Sequence, residues 1–286
     1  MNKFKALLMK DFQVNKKTLI FPIWISVGFY ALFIFSIVLA YIRGDYSMEF
    51  IRFEADFSNF EPNAALNYIL NFFLITLPGL LGILITIMIN QNALNEDIRK
   101  NYELFHRSQP VSIWKRTFSK FIIGTGGSWI IILLISFFNF IVINLILGYL
   151  NQFVFYAAFS GFIQGLIIYF KVYIVIGALA FFASALFKEK AFFTGLGILL
   201  AIQVFLWIIN ALMNWNIASP IALISDLVSY DKINELKSLL TEQPVGEVIA
   251  SFWKHILFNI KTIYQIIFSG ILFYLSTIIY SKKEVI

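Results

Sequence analysis

The side chains best suited to chemistry are few in this sequence. Histidine occurs only at His106 and His255, far apart, and cysteine is absent. A metal centre needs several converging His, Cys, Asp or Glu ligands, and without cysteine neither thiolate ligation nor a disulfide frame is available. A nucleophile or general base needs a positioned partner, and neither histidine has one at a recognisable spacing. Gly124-Thr125-Gly126-Gly127-Ser128 comes nearest to a phosphate-cradling loop. It lacks the lysine of G-x-x-x-x-G-K-[ST] and lies inside an apolar run, so it reads as a helix segment that packs closely. The most conspicuous ionisable residue is Lys171, in the middle of another apolar run, where a bare charge is expensive. It must face protein or water, with Gln164 as a nearby polar group. A functional site and a structural clamp both fit it.

The elements that hold these residues follow from composition. The 286 residues are 60% hydrophobic and 13% charged, with 33 Phe and 13 Tyr and a mean hydropathy of +0.82. Soluble domains are nearer 45–50% apolar and about 25% charged, so lipid is the solvent for much of this chain. A span needs about 20 predominantly apolar residues. Six such segments are expected, at about 18–42, 64–89, 121–147, 155–187, 191–212 and 262–280. Gly148, Asn151 and Gln152 mark the turn between the third and fourth. The fold class is therefore an all-α polytopic membrane protein, one transmembrane domain over residues 1–286. The first span reads as retained rather than as a cleaved leader. No acid lies inside a span, which disfavours an intramembrane protease or lipid transferase.

Charge orients the spans. The amino-terminal segment carries Lys3, Lys5, Lys10, Lys16 and Lys17 against Asp11, and segment 90–120 has six Lys/Arg against three acids. Lys188 and Lys190 flank Glu189, and Lys282 and Lys283 precede Glu284. The segments between are acidic or uncharged: 43–63 has two Arg against five acids, and 213–259 has three Lys against five. Excess Lys/Arg marks cytoplasmic loops, so both termini are expected in the cytoplasm. The net charge of +6 follows from this pattern and implies no nucleic-acid partner.

Three segments outside the spans are informative. In Met1–Phe12, residues Phe4, Leu7, Leu8 and Phe12 recur at helical spacing between lysines, the pattern of an interfacial amphipathic helix meeting anionic lipid. In segment 90–120, Asn95, Glu96 and Asp97 resemble a helix start with acids in its first turn. Glu96 and Lys100 form an i,i+4 pair, Arg99 and Glu103 line a neighbouring face, and Pro110 ends the helix. A short charged helix of this kind can dock on a soluble partner or serve as a solvated connector. In segment 213–259, Pro220 and Pro244 each precede an apolar helical stretch. These read as two re-entrant helices dipping into the outer leaflet, with a surface-packed cap as the alternative. Inside the spans, Asn67, Asn71, Asn139, Asn144, Gln203 and Asn210 are expected to hydrogen-bond between helices. Gly161 and Gly165 permit close helix approach within the chain.

Segment 90–120 carries a resemblance. Glu96, Arg99, Lys100, Asn101, Glu103 and Leu104, then Gln109-Pro110-Val111-Ser112 and Lys120, resemble the cytoplasmic loop of ABC-2 type permeases, although Asn101 stands where that family often has glycine. The order of parts is similar over the whole chain, whereas the motif covers about 25 residues. The resemblance implies that residues 95–104, Tyr102 among them, form a coupling helix seated in a cleft of a separate ATP-binding subunit. It further implies a second permease copy or paralogue, with ATP and magnesium bound by the partner ATPase and no cofactor on this chain. The implied setting is the cell membrane of a bacterium. The implied function is export of an amphipathic substrate: an antimicrobial or cytolytic peptide, a lipid-linked molecule or a drug. The competing reading is a non-transporting anchor or sensor that recruits a cytoplasmic partner through the same loop.

Overall fold

Hydrocarbon leaves a backbone no water to bond, so each crossing must close its own hydrogen bonds as helix. The computed structural model describes residues 3–43, 62–96, 111–188, 190–213, 217–229 and 244–283. Among these there is no strand, and six helical segments are long and apolar enough to cross a membrane. The chain is a multi-pass helical membrane protein.

Span one is α1, Lys3–Arg43, a single helix of 41 residues. The amphipathic start is thus continuous with the span, where the sequence suggested a separate element. At 1.5 Å per residue the helix is about 60 Å long, roughly twice the hydrocarbon thickness. Pro22 lies inside it. Span two is two helices, α2 (Pro62–Phe73) and α3 (Thr76–Asn90), with a break at Leu74 and Ile75. Pro78 explains that break, because its ring displaces the carbonyl four residues earlier.

Span three starts earlier than its apolar run suggests. Helix α4 (Ile113–Phe121) leads through a π-helical turn at Ile122–Gly127 into α5 (Ser128–Tyr149). Asn151 takes a left-handed φ of 56° in the turn that follows, a conformation asparagine tolerates. Span four is α6 (Phe155–Leu186) and span five is α7 (Ala191–Met213). Helix α8 (Pro220–Val228) begins with Pro220 in its first turn and with Ser219 Oγ accepting from the Ala222 amide at 3.2 Å. Span six is again broken, into α9 (Val245–Phe258) and α10 (Ile260–Lys283), with Asn259 extended between them.

Span four forms the axis of the bundle. A Cβ on Gly161 would run into the Tyr68 carbonyl and come 3.2 Å from the Phe72 amide nitrogen, so this glycine lets α2 lie directly on α6. Tyr68, Phe72, Ala157, Val248 and Phe252 form one buried cluster there. Tyr173 of α6 donates to the Gly79 carbonyl at 2.8 Å, and Phe181 stacks on Phe273 of α10 at 5.9 Å. Pairings thus advance together along α3, α6 and α10, so spans two, four and six run in the same direction. Span five is peripheral, with only Ala191 buried.

Candidate functional site at the break in span six

An interrupted helix exposes its last carbonyls, and a membrane interior offers them no water. Lys171 lies near the middle of α6 and answers this need. Its Nζ donates to the Ile256 carbonyl, in the last turn of α9, and to Thr262 Oγ1 of α10 at 2.6 Å. A cation at a helix C-terminus also meets the negative end of the helix dipole. Two turns earlier on the same face, Gln164 Nε2 donates to the Ile249 carbonyl at 3.2 Å, and Gln164 Oε1 accepts from Tyr68 OH at 2.5 Å. Gln164 and Lys171 therefore bind points two turns apart on α9 rather than each other. Helix α9 runs beside α6 to the level of Lys171, and α10 continues along α6 from there.

The polar groups extend sideways from this point. Lys261 and Asp226 form an ion pair at 3.0 Å, with side chains 25% and 71% exposed. Gln265 Nε2 donates to the Leu227 carbonyl at 2.7 Å. Gln265 Oε1 and Ser269 Oγ are buried without a partner among the described residues. Asn210 fixes the entry to α8 by exchanging both amide bonds with Ile217, at 2.9 and 3.1 Å. Helix α8 thus begins beside the far end of span five and ends at the broken part of span six.

The remaining expected polar residues divide. Asn71 and Asn144 exchange hydrogen bonds at 3.2 and 2.8 Å between spans two and three. Asn67 donates to the Gln152 carbonyl at 2.7 Å and so ties span two to the turn after span three. Asn139 accepts from Tyr30 OH at 2.5 Å. Gln203 departs from expectation, because its Oε1 is buried with no partner among the described residues. The π-helical turn is a feature the sequence reading missed. There Asn90 Nδ2 donates to Thr125 Oγ1 at 3.1 Å, while Thr86 Oγ1 and Asn90 Oδ1 find no partner among the described residues. Its sequence signal was the cluster of three glycines.

On the side of the bundle where span two ends, the structure describes the root of segment 90–120. Leu94 is fully buried with Phe181, Ala185 and Tyr280, the ends of spans four and six. Lys120 Nζ donates to the Ala93 carbonyl at 2.7 Å, which closes the base of the loop. Asn95 and Glu96 belong to this root; Asp97, Arg99, Lys100, Asn101, Tyr102, Glu103 and Leu104 lie outside the described residues. At the amino terminus, Leu7 is buried and Phe4 stacks on Phe118 of α4 at 6.1 Å, whereas Phe12 is exposed and Leu8 half-buried. Asp11 is buried and accepts from Ser119 Oγ at 2.6 Å. The first turns of α1 therefore dock part of their apolar face on α4.

Among the described residues no three His, Asp or Glu side chains converge as a metal site would require. Comparison with protein-family models, curated proteins and solved structures finds no match to this chain.

Proposed function

We propose that this chain is the membrane-spanning permease subunit of an ATP-binding cassette exporter, with an amphipathic substrate and a separate ATPase as its motor. The observation that carries this reading is the root of segment 90–120. Leu94 sits between the ends of spans four and six, and Lys120 ties the two sides of the loop together. A force applied to the loop would reach the two helices joined at Lys171, because packed interiors transmit strain rather than absorb it. The order of parts, with a basic start, six spans and a short helix ahead of a divided last span, agrees with the ABC-2 type resemblance. In this reading residues 95–104 are the coupling element, both termini are cytoplasmic, a second permease copy completes the pathway, and α8 together with α9, the first half of span six, forms an outer gate.

The test is reconstitution. The chain is purified from its native membrane with its bound proteins, then incorporated into phosphatidylcholine vesicles. A co-purifying protein with a phosphate loop, together with ATP-dependent movement of a fluorescent amphiphile, supports the permease. A stable complex with a partner that hydrolyses no ATP supports the anchor or sensor instead.

A further inference from the structure

Spans four, five and six diverge around an apolar cleft of about 570 Å³ that is open along its rim. Leu179 and Phe182 of α6, Leu196 and Leu199 of α7, Ile224 of α8 and Phe268 of α10 are among its walls, and almost nothing polar faces it. A dry apolar cavity of about 150 Å³ accepts benzene, so this one has room for an alkyl chain of roughly twenty carbons. Helix α8 closes one end, where Ile221, Ile224 and Val228 turn inward and Ser225 joins the lining. Polar groups gather at that end. Gln265, just outside the lining, lies one turn from Phe268 on the same face of α10, and its Oε1 is buried without a partner among the described residues. Its amide is bonded to Leu227, the neighbour of Val228, and the Asp226–Lys261 ion pair lies just beyond.

We infer that this cavity is a binding site for the hydrocarbon chain of a single-chain amphiphile whose head donates a hydrogen bond to Gln265. Two features select that ligand class. An apolar space among membrane helices is filled by hydrocarbon at no cost in lost water hydrogen bonds. A buried carbonyl oxygen with no donor is costly, and a hydroxyl or amide head would satisfy it. A phospholipid has two chains and no donor placed beside both, so it fits the site less well. This inference concerns binding alone and holds whether or not an ATPase drives the chain.

The test is photolabelling of the full chain in phosphatidylcholine vesicles, with a long-chain fatty amide carrying a diazirine at its chain end. Adducts are mapped by mass spectrometry, and the unlabelled amide and an alkane of equal length serve as competitors. The expected adducts lie on Leu179, Phe182, Leu196 and Leu199. The amide should compete better than the alkane by about fivefold, the worth of one net hydrogen bond. Leu199→Trp fills the cavity and should cut this labelling about tenfold, while leaving adducts on the exposed residues Phe205 and Trp207 unchanged. Gln265→Leu should abolish the advantage of the amide and keep the labelling positions. Adducts spread evenly over span five, with neither competitor effective, would show only annular lipid and overturn the assignment. Equal competition by amide and alkane in the unaltered chain would overturn the role of Gln265.

Discussion

Lys171 and Ile256, 85 residues apart, meet where span six is interrupted: the lysine ammonium donates to the Ile256 carbonyl and also to Thr262 just beyond the break. One side chain from the central helix thus holds both halves of a broken span. Replacing it by an apolar residue of similar length leaves the buried carbonyl with only a weak donor, the Thr262 hydroxyl at 3.4 Å. Lys171→Met should therefore lower stability by about 1–3 kcal/mol, read as a fall in melting temperature in detergent. Thr262→Val removes the acceptor of a bond from the ammonium and a weak donation to the Ile256 carbonyl at 3.4 Å, and should cost about 1.5–3 kcal/mol. Unchanged melting of Lys171→Met would mean that the break needs no such cap.

Close contact between α2 and α6 gives a second prediction. Any Cβ on Gly161 meets backbone of α2, which cannot swing aside as a side chain would. Gly161→Ala should cost at least 2 kcal/mol, about the range for overpacking. Gly197→Ala, at a helical glycine with open space around it, should be neutral or should stabilise by about 0.5–1 kcal/mol. Equal effects at both positions would contradict the packing described here.

The start of α1 makes a third. Leu7 is buried against the bundle while Phe12 faces outward at 40% exposure. Leu7→Glu should destabilise the protein by about 2–4 kcal/mol, the scale of losing a buried leucine and burying an unpaired charge. Phe12→Glu should leave folding nearly unchanged and weaken only the attachment to anionic vesicles. Ser119→Ala, which removes the donor to buried Asp11, should cost about 1.5–3 kcal/mol. A Leu7→Glu variant as stable as the parent would leave the segment a merely charged tail.

Much of this architecture was legible before the structure. Hydropathy located all six spans, and Asn151 marked the turn between the third and fourth correctly. Spans two, four and five begin and end within about two residues of their apolar runs, because lipid imposes a length and charged residues bound it. The breaks were harder to read. The one at Leu74 and Ile75 needed the link to Pro78, whereas the boundary near Asn259 was read as the end of an external helix and the start of span six at about 262, not as a break within one span. Lys171 was conspicuous by its charge, but its partner is a backbone carbonyl, which carries no side-chain signature. The π-helical turn likewise shows in sequence only as glycines that could have served close packing alone. Unions across 85 residues depend on tertiary geometry that periodicity does not encode.

Orientation is tested by single cysteines in this cysteine-free chain. Gln152→Cys lies in the exposed turn after span three, and Lys188→Cys in the exposed, basic turn after span four. The Lys/Arg pattern predicts that a membrane-impermeant thiol reagent labels the first on intact cells and spares the second until the membrane is opened. The reverse pattern would invert every span.

The most direct measurement for the central proposal is ATPase activity and transport by a variant with reversed charge on the proposed coupling element. Glu96 stands at the described root of the loop, and Glu103 lies beyond the described residues. Glu96→Lys with Glu103→Lys should set like charge against a complementary surface on the ATPase and weaken the complex. The spans should still insert and melt as before, since neither residue lies in one. Lys282→Glu, on an exposed position near the end of span six, is the control and should change neither quantity. The account predicts a stable membrane protein with weakened ATPase binding and transport uncoupled from ATP. Wild-type partner binding, ATPase stimulation and transport in the doubly reversed variant would contradict it.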